Sequence, residues 1–177
     1  ASDVYKRQVL RSGWVIVGSL PSKDGTTATK GQGCLLVFDR NGDLADVWTD
    51  PKIDGPWGNM AVIDKGDSAT LFVSNTGYGV GAPPKTGAAP IVSKATVVRI
   101  PVTIPKGGKP EHGAPVVVAD GFAEQADKSV FIIGPTGVAL GPNGSIYVSD
   151  AIGNRIVQIP DALTLSLIHI SEPTRRR

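Results

Sequence analysis

Two polar residues end similar strand-like runs in this sequence and carry the donor atoms for binding a cation. Asn75 closes the run LFVSN, and Asp150 closes the run IYVSD. Carboxylate and amide oxygens are the ligands that Ca²⁺ prefers, so the pair predicts a Ca²⁺ site or a polar-ligand site. The alternative is structural and is favoured, because Asp and Asn side chains at strand ends commonly accept hydrogen bonds from the following turn.

Three further residues have side chains suited to ligand binding. Arg155 would pair with an anionic ligand. The alternative is that its aliphatic chain packs between layers of the fold while its guanidinium is hydrogen-bonded within the protein. Trp57 would stack on a ligand, unless it fills a gap in the fold. Tyr78 lies in a glycine-rich stretch and is the third candidate. The sequence thus gives five ligand-binding candidates in all.

No catalytic constellation is visible in the sequence, so whether the chain is an enzyme is left open. His112 is the only histidine before residue 165, and it has no Ser, Cys or metal-ligand partner at a recognisable spacing. The single cysteine, Cys34, excludes an internal disulfide. The string GYGVG at residues 77–81 lacks the third glycine and the following helix of a dinucleotide-binding loop.

The two ends of the chain have features of translated adaptor DNA. One set of codons for residues 3–8, DVYKRQ, has a reverse complement that translates as LSLIHI, the sequence of residues 165–170. We interpret residues 1–8 and 165–177 as adaptor-derived flanks of a metagenomic library fragment and exclude them from fold reasoning. They carry five basic and two acidic residues, so the formal net charge of +2 becomes −1 without them. That charge favours neither a nucleic-acid nor a membrane partner, and no apolar run approaches the ~20 residues of a membrane span.

Residues 9–164 contain a repeat of short strand-like runs. GPWGNMAV aligns with GPTGVAL, LFVSN with IYVSD, and VVRIP with IVQIP, in the same order. Turn residues such as PNG separate the runs, which predicts antiparallel hairpins. Four such strands per repeat describe a β-propeller blade. We predict an all-β partial propeller of about two to three blades, at about residues 9–50, 51–121 and 122–164.

The last copy of the repeat resembles an NHL repeat. The family pattern is Pro-x-Gly-(Val/Leu)-Ala, a turn with glycine, (Ile/Leu)-Tyr-Val-x-Asp, and then Asn-Arg-Ile. The matching residues are Pro135, Gly137, Val138, Ala139, Gly144, Ile146, Tyr147, Val148, Asp150, Asn154, Arg155 and Ile156. The middle copy departs from the pattern, with Asn75 in place of the Asp and Thr96 in place of the Arg. The resemblance implies a ring of about six blades, of which this chain would be an arc without the remaining blades.

The longest loops of the predicted propeller fall on one face. Loops from the second to the third strand of a blade share a face with the connectors between blades, and residues 21–33 and 76–95 are long segments of the first kind. Such clustering favours a binding face, although long exposed loops are also simply tolerated. We expect a binding or scaffold protein for an unknown protein, peptide or carbohydrate ligand. The resemblance also implies an alternative, a metal-dependent lactonase or lyase with Ca²⁺ on the ring axis, and a periplasmic or secreted location.

Overall fold

A computed structural model describes residues 7–170, and in that range the chain is all-β, with 14 strands and no α-helix. Two short 3₁₀ turns, Thr27–Thr29 and Pro142–Gly144, are the only helical segments among the described residues. Predictions about residues 1–6 and 171–177 lie outside the described part of the chain. The strands form three sheets, which are the predicted blades of a partial β-propeller.

The first blade is a four-stranded antiparallel sheet in which each strand pairs with its neighbour in the sequence. Its strands are β1 (Arg7–Val9), β2 (Val15–Ser19), β3 (Cys34–Phe38) and β4 (Leu44–Trp48). Inward and outward residues alternate along β2 and β3, where Ile16, Leu35 and Val37 are fully buried. Because successive side chains of a strand point to opposite faces of the sheet, this alternation buries one face against a neighbouring layer.

The second blade is the largest sheet, with the order β10-β9-β7-β6-β5. Its strands are β5 (Pro56–Asp64), β6 (Ser68–Asn75), β7 (Val92–Thr103), the short β8 (Glu111–His112) on β7, β9 (Val116–Asp127) and β10 (Phe131–Ile133). Strand β9 continues past the predicted blade boundary at residue 121. It does so because Phe122, Glu124 and Ala126 extend the buried alternation, and β10 folds back on this extension.

The third blade contains β11 (Pro135–Leu140), β12 (Ile146–Asp150) and β13 (Arg155–Ile159), each antiparallel to the next. Asn143, in the turn between β11 and β12, has φ 55°, a left-handed conformation that Asn tolerates better than most residues. The predicted Pro-Asn-Gly hairpin connection is therefore confirmed as a tight turn between these two strands.

Two apolar clusters hold the three blades face to face. Side chains of the first and second blades form one cluster, which includes Leu35, Leu71 and Ile100. Side chains of the second and third blades form the other, which includes Phe72 and Ile146. Among residues 7–170 no cluster joins the first blade to the third, so the blades form an arc. Each buried face is stabilised by about 25 cal/mol per Å² of apolar surface removed from water.

The backbone register places the matched strand ends of the second and third blades at equivalent positions. Pro56 pairs with Asn75 in one blade, and Pro135 pairs with Asp150 in the other. After these prolines, the sequence alignment of GPWGNMAV with GPTGVAL is wrong by one residue. Met60 and Val138 are the equivalent residues, since they pair with the equivalent Val73 and Val148. The second blade thus carries one extra residue in the bulge that follows its proline.

Parts of the two flanking segments pair with the sheets, although the sequence placed both outside the fold. Arg7 and Gln8 belong to β1, which occupies the first strand position of the first blade. Ile168 and His169 form β14, which pairs in parallel with Ala119 and Asp120 of β9. A strand edge pairs readily with any extended chain, so these contacts do not test where the segments come from. Their adaptor origin stays a prediction.

Candidate functional site

The two longest loops lie on one face of the arc and touch each other. The first is the β2–β3 loop (residues 20–33), and the second is the β6–β7 loop (residues 76–91). Thr27 of the first loop donates a hydrogen bond from its hydroxyl to the carbonyl of Gly81 in the second, at 3.0 Å. The predicted grouping of long loops on one face is therefore what the structure shows, and we call it the long-loop face.

The β6–β7 loop is packed and is not a free excursion into solvent. Val80 and Ala89 of this loop are buried against Ala126 of β9 and Ile132 of β10. The first turn of the loop is also tied to the sheet, because the Thr76 hydroxyl donates to the carbonyl of Pro135 at 2.9 Å. The loop therefore has a defined conformation that can position side chains.

Trp57 packs against the apolar cluster of this loop. Its ring lies 5.2 Å from the ring of Phe131, measured between centroids and tilted by 31°. Both side chains are half-buried and pack against the apolar cluster of the loop. The observed contacts correspond to the gap-filling alternative for Trp57. Its predicted stacking on a ligand stays a prediction.

Asn75 is buried beneath the long-loop face and is only partly satisfied. Its amide nitrogen donates to the carbonyl of Lys52 at 2.8 Å and to the hydroxyl of Thr96 at 3.3 Å. Its amide oxygen has no hydrogen-bond partner among the described residues. A buried acceptor without a partner is uncommon in a folded protein, so the side chain is anchored through its nitrogen with the oxygen left over.

Asp150 occupies the position equivalent to Asn75 but is fully engaged. One carboxylate oxygen accepts from the backbone amide of Gly153 at 3.0 Å, and the other accepts from Nε of Arg155 at 2.9 Å. These contacts are those of a turn cap. Arg155 is half-buried and directs its head to Asp150. The predicted roles of these two side chains in binding an anion or Ca²⁺ stay predictions.

A groove of about 520 Å³ opens on the long-loop face beside the β6–β7 loop. Tyr78 and Lys94 form one side of the groove. Tyr78 is 58% exposed, and the Lys94 ammonium lies 5.5 Å from the centroid of its ring. Asp54, Thr96 and Asp120 form other parts of the wall. Of the five predicted site residues, Tyr78 is the one that lines this groove, so the structure does not bring the five together.

A buried carboxyl group that sequence reasoning missed lies behind this groove. Glu124, on β9, is 0% exposed, and one of its oxygens accepts a hydrogen bond from the backbone amide of Gly77. Its other oxygen has no partner among the described residues. Burial, together with the nearby Asp54 carboxylate, raises the pKa of Glu124 from 4.5 to about 8, although the hydrogen bond from the Gly77 amide and the charges of Lys30 and Lys94 oppose the shift. The available signal was the alternation along β9, which places residue 124 on the inward face.

Asp54 is the second carboxyl group of this region and lies in the connector between the first two blades. It also lines the groove. Burial raises the pKa of Asp54 above its usual range, and the positive charge of Lys30 opposes that effect. The long-loop face therefore holds two interacting carboxyl groups and two lysines, a mixed-charge lining.

Other features of the described residues concern metals and membranes. In residues 7–170 no three side chains of His, Cys, Asp or Glu come together in a group that could hold a metal ion. The same range contains no helix that is both long enough and apolar enough to cross a bilayer.

His112, on the opposite side of the second blade, stacks its ring 5.1 Å from that of Trp48. It thus has a packing role.

Comparison with known proteins finds no matching family, no matching curated protein and no matching solved structure.

Proposed function

We propose that this chain is a binding protein of partial β-propeller fold that takes a protein, peptide or carbohydrate ligand into the groove on the long-loop face. The observation that supports the proposal is the groove itself, in which an exposed tyrosine ring stands beside polar and charged groups. Tyrosine gives a large apolar contact area at a low cost in side-chain entropy. The resemblance of residues 134–160 to an NHL repeat is consistent with this proposal.

The composition of the groove favours a polar ligand without a large net charge. Lys94 on one wall is balanced by Asp54 and Asp120 on others. The Asp120 carboxylate already contacts Nδ1 of His169, which also lines the groove, at 2.7 Å. Lys52 also reaches the groove, but its ammonium already donates to the carbonyl of Pro115 at 2.9 Å. A ligand with both hydrogen-bond donors and acceptors and one apolar face would satisfy these groups. Sugars and peptides have that character.

Binding of the full chain to immobilised glycan and peptide arrays tests the proposal. Tyr78→Ala removes the exposed ring and is expected to weaken binding of any captured probe about tenfold or more, as for an aromatic at the centre of an interface. Lys106→Ala is the matched control, because Lys106 is exposed in a turn that lines a groove away from the long-loop face. Equal binding by all three proteins, or no capture of any probe, would contradict the proposal.

A further inference from the structure

We propose that two copies of this chain associate through their end blades and close a six-bladed ring. The third blade of each copy packs on the first blade of the other. Each end blade has one face that no described blade covers, and we call these the free face of the first blade and the free face of the third blade. The residues on the two free faces identify a second copy as the partner.

The free face of the third blade repeats a face that is buried in the second blade. Val97 and Ile156 are equivalent, because they pair with the serines that precede the matched strand ends. Val97 is 0% exposed in the cluster between the second and third blades, whereas Ile156 is 67% exposed. The register matches Ala61, Phe72, Ser74, Val97 and Arg99 with Ala139, Tyr147, Ser149, Ile156 and Gln158. The third blade thus carries the side chains of a face that another blade covers.

The free face of the first blade is a continuous apolar surface. Val15 and Val17 of β2 flank Ile16, which is buried against the second blade, so they point away from that blade. Cross-strand pairing extends this surface over all four strands. It includes Val9, Val15, Val17, Leu36, Phe38, Leu44 and Val47, with Arg7 as a charged neighbour on β1. Val9 is 62% exposed and Leu44 is 54% exposed, and contiguous apolar surface of this kind marks an interaction site.

Surfaces of these two kinds already pack on each other within the chain. Val73 stands two residues before the end of β6, as Val17 does in β2. Val73 and Leu71 are 0% exposed in the cluster that joins the second blade to the first. Val148, two residues before the end of β12, is 0% exposed in the cluster that joins the third blade to the second. A contact between the third blade of one copy and the first blade of another therefore repeats both interfaces.

Two copies also supply enough blades for a closed propeller. Three blades per chain give six per pair, and propellers close with roughly four to eight blades. Two identical head-to-tail contacts related by a twofold axis leave neither free face exposed. A contact between two third blades would instead leave both first blades uncovered. Because the blades of a ring share one orientation, the closed ring places both long-loop faces on the same side.

Size-exclusion chromatography with light scattering tests the ring on the full chain. The wild type is expected to have twice the 18.4 kDa mass of one chain, independent of concentration. Leu36→Asp and Ile156→Lys each place a charge on one free face, and each should give a monomer. Asn41→Lys is the control, because Asn41 is exposed in the β3–β4 turn away from both faces, and it should stay dimeric. A monomeric wild type, or a mass that keeps growing with concentration, would overturn the closed ring.

An equimolar mixture of Leu36→Asp and Ile156→Lys shows which faces touch. In a mixed pair one contact is unmodified, and the other sets the introduced carboxylate against the introduced ammonium, so the dimer should return. Far-UV circular dichroism checks that each variant is folded, and Val15→Asp with Tyr147→Lys is the second pair if one is not. Folded variants that stay monomeric when mixed, or a Leu36→Asp chain that dimerises alone, would overturn the head-to-tail contact. No ligand takes part, so the result is independent of the array experiment.

Discussion

The backbone of Gly58 lies against the carbonyl of Thr136, so that a Cβ at residue 58 would stand 1.7 Å from that oxygen. The contact joins the second blade to the third, and both partners are backbone, so neither can move aside cheaply. We expect Gly58→Ala to lower the free energy of unfolding by about 2–4 kcal/mol. Urea denaturation of the full chain measures the change.

Gly81→Ala is the matched control for this substitution. Gly81 has no heavy atom within 4 Å of an added Cβ and has no left-handed φ, although it lies on the long-loop face. We expect it to change stability by less than about 0.5 kcal/mol. If both variants lose the same stability, the close approach of the two blades is not the cause.

Arg155 and Asp150 form the ion pair that closes the last hairpin, and breaking it should be costly. The Asp150 side chain is 1% exposed and that of Arg155 is 28% exposed, so removal of the guanidinium leaves a buried carboxylate without its cation. We expect Arg155→Met to cost about 2 kcal/mol. Chemical denaturation of the variant measures this directly.

A double-mutant cycle separates this pair from the packing of the arginine stem. In an Asp150→Asn background the carboxylate is absent, so Arg155→Met should cost clearly less than it does in the wild type. The difference between the two costs is the coupling energy of the pair. A coupling energy near zero would show that Arg155 acts through its stem alone.

The strand positions and the repeat were predictable because they depend on local chemistry. Alternating β-branched residues and Pro-Asn-Gly turns specify strands and hairpins wherever the partner lies. The equivalence of Asn75 and Asp150 followed from strand order, and the register bears it out. The one-residue error between Met60 and Val138 has a physical origin: a bulge adds a residue without changing the alternation on either side.

The site was less predictable than the fold, because it depends on contacts between segments distant in the sequence. Glu124 and Gly77 are 47 residues apart, and nothing local to either residue indicates that one binds the other. Trp57 was considered as a ligand platform, yet its ring packs on Phe131. Tyr78 was a better candidate, because the glycines on both sides of it have no side chains that could pack against its ring.

Asp24 should control the order of the β2–β3 loop at low pH. Its carboxylate accepts hydrogen bonds from the hydroxyls of Thr29 and Thr26 and from the Thr26 amide, which lower the pKa of Asp24 from 3.8 to about 2. A depressed pKa means that the stabilisation is complete above pH 3.8 and is lost as the pH falls through 2. Carboxyl NMR titration is expected to show this low midpoint.

Thr29→Ala tests the cause of that shift, because the Thr29 hydroxyl is its largest contributor. The Asp24 midpoint should move up towards 3.8 in this variant. Thr49→Ala is the control, since Thr49 is an exposed threonine outside the loop, and it should leave the midpoint unchanged. A midpoint that is the same in all three proteins would mean that the hydroxyl network does not form in solution.

The outer face of the third blade should drive self-association of the chain. Ile156 of β13 is 67% exposed, beside Tyr147 and a shallow depression of about 180 Å³. In the first two blades the equivalent strands carry a further strand at their edge, whereas no described strand covers the edge of β13. An exposed apolar strand at a sheet edge is an aggregation site. Ile156→Lys is therefore expected to lower the apparent mass in light scattering and to raise the soluble yield.

Gln158→Lys distinguishes the apolar surface from simple charge repulsion. Gln158 is exposed two residues further along the same strand, so its side chain projects from the same face. The variant adds the same charge but removes no large apolar side chain, and it should reduce association much less than Ile156→Lys. Equal effects would mean that net charge governs solubility. Persistent association in both would assign the contact to the unpaired backbone groups of β13, because backbone pairing survives a change of side chain.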